Sequence, residues 1–369
     1  MVTVPSGLLV VHKPVGPSSA HVVAQIKRVL QEGAVSRSGC FSLAHRRAFF
    51  ERWIPSEEKH SHLQGGQQSK SRHGNNGHYR GGGIVVRKAD KINIKVGHGG
   101  TLDPLADGVL VLGIGNGTKL LQKYLTGPKG YSATAVLGTA TTTLDCTGEV
   151  TASTDTITLS QITYKQVLDV LPSFSGDIMQ VPPMFSALSI GGQRLYKLAR
   201  EGKEVHREPR PVSIQSLHLH LDANQDVDGA ISTNADASPD PPEQSANPSF
   251  TLAVQCSGGT YIRTLIADIG AALGTHAHMS QLTRTNTGVG VGVGAGACTD
   301  FGGLVDTLDL TLALREEEWA FDNLVQHIHV CNAAVGLKAN ELQPALELPK
   351  IRTTACTSNS DVNSSDAKC

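Results

Sequence analysis

The chain has 369 residues, of which 39% are hydrophobic and only 4% aromatic, enough for one large or two ordinary domains around a core that is thin for this length. Its 32 Lys+Arg and 33 Asp+Glu leave a net charge of −1, which excludes a uniformly basic nucleic-acid binder but not a local basic patch. The charge is divided along the chain: residues 1–90 carry 13 Lys/Arg against 5 Asp/Glu, and residues 91–369 carry 19 against 28.

In chain order, GLLVVH (7–12) predicts a buried strand, and Ser18 or Ser19 can cap a helix whose Val22, Val23, Ile26, Val29 and Leu30 share one face. From about 32 to 90 the chain turns rich in Gly, Ser, Gln, His and Arg without a sustained period, which predicts a disordered basic insert. Its histidines are irregularly spaced, so a solvated loop is expected there rather than a metal site. Order returns with IKV (94–96) and an apolar strand at Val109–Ile114, then a short helix with Leu120, Leu121, Tyr124 and Leu125 inward. Strand patterns recur at 131–137, 212–221 and 250–256, and helices are predicted at about 160–171 and 260–273. Residues 222–249 hold six acids and no Lys or Arg, which predicts a second disordered loop, and the tail 331–369 has a similar composition. Mixed strands and helices without a strict βαβ period predict a single α+β domain over about 7–330, with a mixed, mainly antiparallel sheet and flanking helices.

Seven cysteines, odd in number and without a CxxC pair, indicate neither a disulfide framework nor a zinc ribbon. No apolar run approaches the ~18 residues of a membrane span, and the N-terminal segment lacks the charge-then-apolar pattern of a signal peptide. An intracellular protein is expected, nuclear or cytoplasmic, with a mitochondrial location left open.

The densest signal is GHGGTLDPLADGVL (97–110), a polar, glycine-rich loop running into a buried strand, the setting in which functional residues concentrate. Taken alone, Asp103 before Pro104 is more often a turn former than a reacting group. GIGNGTK (113–119) matches neither phosphate-binding glycine motif, so a nucleotide site is not expected there.

Several blocks together resemble the TruB-type pseudouridine synthases, which isomerise the T-loop uridine at tRNA position 55. The loop 97–119 resembles the family's second motif, and HKPVGPSS (12–19) its opening KPxGxxS block. KGYSATAVLGTATTTLDCTGEV (129–150) resembles the Lys-x-Tyr strand and the TDTxDxxG turn. QVPPMFSAL (180–188), GQRLYKLAREGKEV and RPV resemble the central block; CSGGTYIRTLIADIGAALG (256–274) resembles the Tyr-Ile-Arg helix. LTRT (282–285) and EEEWAFDNLV (316–325) are closer to the shorter eukaryotic members, which lack the C-terminal PUA domain. The chain departs from the pattern after LTRT, where NTGVGVGVGAGACTDFGG (286–303) would weaken any strand it forms.

The resemblance implies roles. Asp103 matches the catalytic aspartate, and His98 matches the histidine that enters the T-loop where the target base has left. Tyr131 matches the tyrosine that stacks on the flipped uracil, and Tyr261, Arg263 and Leu282 match positions lining the base pocket. Chemistry agrees with such a set. Turning uridine into pseudouridine breaks the N1–C1′ bond, rotates the uracil and rejoins it through C5. That needs a nucleophile, a proton acceptor and a pocket, but no redox or energy cofactor. A guanidinium from Arg263 beside Asp103 is expected to favour its ionised form. The expected partner is the tRNA T-arm, with T-arm-like mRNA stem-loops as further substrates, bound by a monomer. The basic stretch Arg194, Lys197, Arg200, Lys203, Arg207 and Arg210 suits phosphate contacts, although a solvated helix and turn explains it equally well. Two rivals remain: an RNA-binding tRNA-folding chaperone without catalysis, and an RNA-guided synthase, which would be expected to bring a PUA domain.

Overall fold

A computed structural model describes residues 2–38, 93–222, 225–231, 247–290, 304–337 and 344–348. The strands are β1 (Val2–Val4), β2 (Gly7–Lys13), β3 (Val96–His98), β4 (Asp107–Ile114), β5 (Lys129–Leu137), β6 (Thr139–Thr141), β7 (Val150–Ser153), β8 (Gly176–Gln180), β9 (Ser189–Ile190), β10 (Gln193–Arg194), β11 (Arg210–His220), β12 (Ser249–Cys256), β13 (Ala277–Gly290), β14 (Leu304–Asp309) and β15 (Leu346–Leu348). The α-helices are α1 (Ser19–Ser38), α2 (Leu121–Thr126), α3 (Thr156–Ser160), α4 (Tyr164–Val170), α5 (Leu195–Arg200), α6 (Ile262–Ala272) and α7 (Phe321–Ala334). Among the described residues a nine-stranded sheet runs β2-β4-β13-β5-β12-β11-β8, with β14 on β13 and β3 on β4. Only the β13–β4 pair is parallel, so the expected mixed, mainly antiparallel α+β architecture is present.

Alternation along the strands divides the core. On β2, Leu9 and Val11 pack with Val22, Ile26 and Leu30 of α1 and with Leu324 and Ile328 of α7, whereas Leu8 and Val10 face the other way, toward Tyr124 of α2. Because β2 and β4 are covered on both faces, both read as nearly continuous apolar runs. On β5, Tyr131, Ala133, Ala135 and Leu137 enter a separate cluster with Ile262, Leu265, Ile266 and Ile269 of α6. The sheet thus carries α6 on the face where Tyr131 lies.

Several sequence boundaries move. Helix α1 continues through Ser38, with Leu30, Ala34 and Val35 buried, so the segment from 32 to 38 belongs to the fold and not to an insert; residues 39–92 lie outside the described residues. The helix expected at about 160–171 is α4, which Thr163 and Gln166 start with a capping box, and a separate helix α3, capped by Asp155, ends just before it at Ser160. The expected tail is ordered in part: α7 runs to Ala334, with Cys331 buried, and the Asn332 side chain accepts from Leu8 N–H and donates to the Ser6 carbonyl. Beyond it, Leu346–Leu348 pairs with Val2–Val4, so the fold reaches past both ends of the expected 7–330 domain. Within the expected acidic loop, residues 225–231 are also part of the fold: Ile231 is buried in the α6 cluster, and its N–H donates to the Ile162 carbonyl. Ile231→Ala is therefore expected to cost about 2–5 kcal/mol through an unfilled core site, read as a lowered denaturation midpoint with an unchanged slope.

Candidate active site

The loop between β3 and β4 is held from beneath by the segment that opens the chain. The Ser19 hydroxyl accepts from Leu102 N–H at 2.8 Å and donates to the Leu102 carbonyl at 3.1 Å, while Ser18 takes the cap of α1 by accepting from His21 N–H. Gly16 N–H donates to the Pro104 carbonyl at 2.8 Å, and the Lys13 ammonium donates to the carbonyls of Pro14, Pro104 and Ala106. These bonds bracket Asp103 on both sides, so its backbone is defined before any substrate arrives.

Asp103 meets Arg263 of α6: Nη2 lies 2.9 Å from Oδ2 of Asp103, and Nη1 lies 3.7 Å from Oδ2 of Asp145. The guanidinium also donates to the carbonyls of Thr143 and Phe185, at 2.9 and 2.7 Å, so its plane is tied to two separate loops. Asp145 in turn accepts from the hydroxyls of Thr143 and Thr147 and from Thr147 N–H through Oδ1. Leu144, just before it, is the one non-glycine residue with positive φ among the described residues. Backbone strain of this kind persists where surrounding contacts impose it. The Arg263 side chain is 6% exposed and that of Asp103 is 35%, so the cation is enclosed while the carboxylate is open to an incoming molecule.

The electrostatic balance differs from the sequence expectation. Arg263 does pull the Asp103 pKa down, but loss of water outweighs it and Asp145 adds to the rise, so the Asp103 carboxyl titrates above the usual aspartate range. The pair supplies geometry and partial charge compensation, while the net pKa of Asp103 stays above its ordinary value.

The other expected residues surround this pair. Tyr131 and Leu282 are buried in the cluster that also holds Leu102, Ala106 and Ile262. Burial pushes the Tyr131 phenol up to about 12, which keeps it neutral at physiological pH. Tyr261 precedes α6 and is clamped at its backbone by the Gln180 amide, which accepts from Tyr261 N–H at 2.8 Å and donates to the Tyr261 carbonyl at 3.0 Å. His98 ends β3, on the far side of Gly99 and Gly100 from Asp103, and makes no hydrogen bond to it. Its buried Nδ1 has no hydrogen-bond partner among the described residues, and burial followed by the charge of Arg284 lowers its pKa. The structure thus brings Asp103, Arg263, Tyr131 and Leu282 together, with Tyr261 beside them and His98 apart.

Residue-by-residue reading of the sequence missed Asp145, Lys13 and Gln180. Asp145 between Thr143 and Thr147 carries only a turn signal, and the lysine and glutamine owe their roles to strands distant in sequence.

Two family models match this chain: the TruB family pseudouridylate synthase (N terminal domain) over residues 87–262, and the tRNA pseudouridylate synthase B C-terminal domain over 263–306. Pseudouridylate synthase TRUB1 of Homo sapiens is 34% identical over 329 residues, covering 89% of this chain and 69% of the human protein. The chain belongs to the TruB family. The enzyme described here is accordingly a pseudouridine synthase. The tRNA pseudouridine synthase B of Listeria welshimeri is 44% identical over 190 residues, 52% of this chain and 56% of the bacterial protein, so the chain matches about half the length of that relative. A crystal structure of a Cbf5-Nop10-Gar1 complex aligns at 20% identity and a TM-score of 0.46, over 93% of this chain and 61% of that one.

In this synthase, burial lowers the Lys13 ammonium to about 8. Its proton serves the carbonyls that bracket Asp103, so the single-turnover rate is expected to decline above about pH 8 as that donor is lost. Stability should move the opposite way. Lys13 and Lys129, the latter also lowered to about 8 by burial, shed protons in the folded state that an unfolded chain keeps to about 10.5. The cost of burying them is therefore relieved as pH rises from 8. The gain should show between pH 8 and 9. Above 9 the buried thiols of Cys256 and Cys331, raised to about 11, oppose it. A pH–rate profile beside denaturation curves at pH 7.5, 8.5 and 9 checks both signs.

Proposed function

We propose that this synthase isomerises the T-loop uridine of tRNA at position 55, with Asp103 as the nucleophile. The observation that carries the reading is the Asp103–Arg263 contact at 2.9 Å, a partly open carboxylate on an enclosed guanidinium beside a buried tyrosine. The name of the bacterial relative, tRNA pseudouridine synthase B, supports tRNA as the substrate class.

The uridine is flipped out of its loop at a cost of a few kcal/mol, offset by stacking on Tyr131 and by His98 entering the vacated place. The Asp103 carboxylate attacks, and the glycosidic electron pair leaves with N1 of uracil. The detached base, held by Tyr131, Tyr261 and Leu282, turns so that C5 faces C1′. The C5–C1′ bond then forms as the carboxylate is released, the C5 proton is removed, and N1 takes up a proton. Atoms and charge balance without a redox partner. Recognition of an A-form stem falls to phosphates and shape, because the deep major groove is closed to side chains. T-arm-like stem-loops in mRNA present the same shape and are proposed as further substrates.

Incubating the protein with a T-arm stem-loop and mapping pseudouridine by sequencing tests this. Conversion of the single T-loop uridine is expected, together with its loss from tRNA of cells lacking the protein. Binding of the stem-loop with no conversion would instead identify a folding chaperone.

A further inference from the structure

Among the described residues, Arg284 is a buried guanidinium with no carboxylate partner and no role in the scheme above. Arg284, in the LTRT segment, is 1% exposed at the middle of β13. No carboxylate among the described residues forms an ion pair with it, unlike Arg263. A guanidinium enclosed without a counter-charge is costly unless its five donors find fixed acceptors. Those acceptors are three backbone carbonyls. Nε donates to the Val109 carbonyl of β4 at 2.7 Å; Nη1 and Nη2 reach the Thr101 and Gly100 carbonyls of the Asp103 loop at 3.5 and 3.4 Å. Tyr131 is the cross-strand partner of Arg284 on β5, so the two side chains rise side by side from neighbouring strands.

The surrounding backbone comes close to this residue, at its main chain through Gly108 and at its side chain through Gly100. Gly108 is the β4 partner of Arg284 and has φ +101, and a Cβ there would lie 2.3 Å from the Arg284 carbonyl oxygen. At Gly100, with φ +146, a Cβ would lie 3.3 Å from Nη1. Two glycines in conformations that other residues rarely adopt thus flank one arginine. The fork bridges β4 and the loop that carries Asp103, and the strand neighbour of Arg284 on β5 is Tyr131.

We propose that Arg284 is a positioning residue of the isomerisation, its guanidinium locking the Asp103 loop and the Tyr131 ring into one mutual register. The inference rests on the roles given above to Asp103 and Tyr131. Arg284 touches no reacting atom; it acts by keeping the nucleophile and the stacking surface a constant distance apart, and displacements of about 1 Å at such sites cost on the order of a hundredfold in rate.

The test compares wild type, Asp103→Asn, Arg284→Lys and Arg284→Met in the full chain. Single-turnover rates at saturating T-arm stem-loop, stem-loop affinities, pH–rate profiles and melting curves are measured for each. An active wild type beside an inactive Asp103→Asn upholds the reading of the site independently. Arg284→Lys, which keeps the charge and loses the fork, is then expected to melt cooperatively and bind RNA within about threefold of wild type. Its rate should fall about 30-fold across the whole pH range with the acid limb in place, and Arg284→Met should be slower still. A rate within threefold of wild type for Arg284→Met would overturn the proposal, as would a defect confined to affinity. A displaced acid limb would show action through the charge of Asp103 instead, and failure of both variants to melt cooperatively would make Arg284 a determinant of the fold alone; either result overturns it.

Discussion

Replacing Asp103 by Asn is expected to abolish isomerisation, lowering the single-turnover rate by at least roughly a thousandfold, while folding and stem-loop affinity stay within a few-fold of wild type. Asn matches Asp in size and can still accept from the Arg263 guanidinium through its amide oxygen, so the enclosed cation keeps one of its contacts. It lacks the negative charge and the second oxygen, and an amide is a poor nucleophile. The backbone is fixed independently, by Ser19 on Leu102 and by Lys13 and Gly16 on Pro104, so the substitution should not move the loop. Turnover within tenfold of wild type on a T-arm stem-loop would remove Asp103 from the nucleophile's role.

Arg263→Gln is expected to affect stability, rate and pH dependence together. Removing one partner of an enclosed ion pair typically costs about 3–5 kcal/mol, because the remaining charge has lost both water and its counter-charge. The Thr143 and Phe185 carbonyls lose their donors as well. Part of the loss should be relieved, since Asp145 keeps three donors from Thr143 and Thr147. Asp103 has no such reserve. Its carboxyl already titrates high through burial, and without Arg263 it should rise further. The reactive form is the carboxylate, so the acid limb of the rate profile should move toward neutral pH, with a drop at pH 7 of about a hundredfold that diminishes in alkali. Asp145→Asn removes a like charge that raises Asp103, and should move the same limb in the opposite direction. Limbs displaced in the same direction, or not at all, would show that the two residues do not control the ionisation of Asp103.

Legibility in the sequence followed packing. Strands β2 and β4, the apolar face of α1 and the alternation of β5 were readable because each element's burial is written in its own residues. Strand β13 was not, although it lies at the centre of the sheet. AHMSQLTRTNTGVG holds few apolar residues, and register shifts between Met279 and Gln281 and between Arg284 and Asn286 break the two-residue period that would have revealed it. The order of residues 225–231 was hidden for a related reason: one Ile in an acidic segment carries no period, and only the cavity it fills beside Ile162 makes it part of the core.

At the site, the sequence alone determined which chemistry is present, because an aspartate loop, a tyrosine strand and an arginine helix each recur as recognisable local text. It also determined the family, and with it the isomerisation. Tertiary structure decided how those groups behave. Lys13, Arg263 and Arg284 are ordinary basic residues in the text, and become functional when distant strands close over them and remove water. The direction of the Asp103 shift is the clearest case: the sign of the competition between Arg263 and burial depends on how much solvent the folded chain excludes, a quantity no single segment encodes.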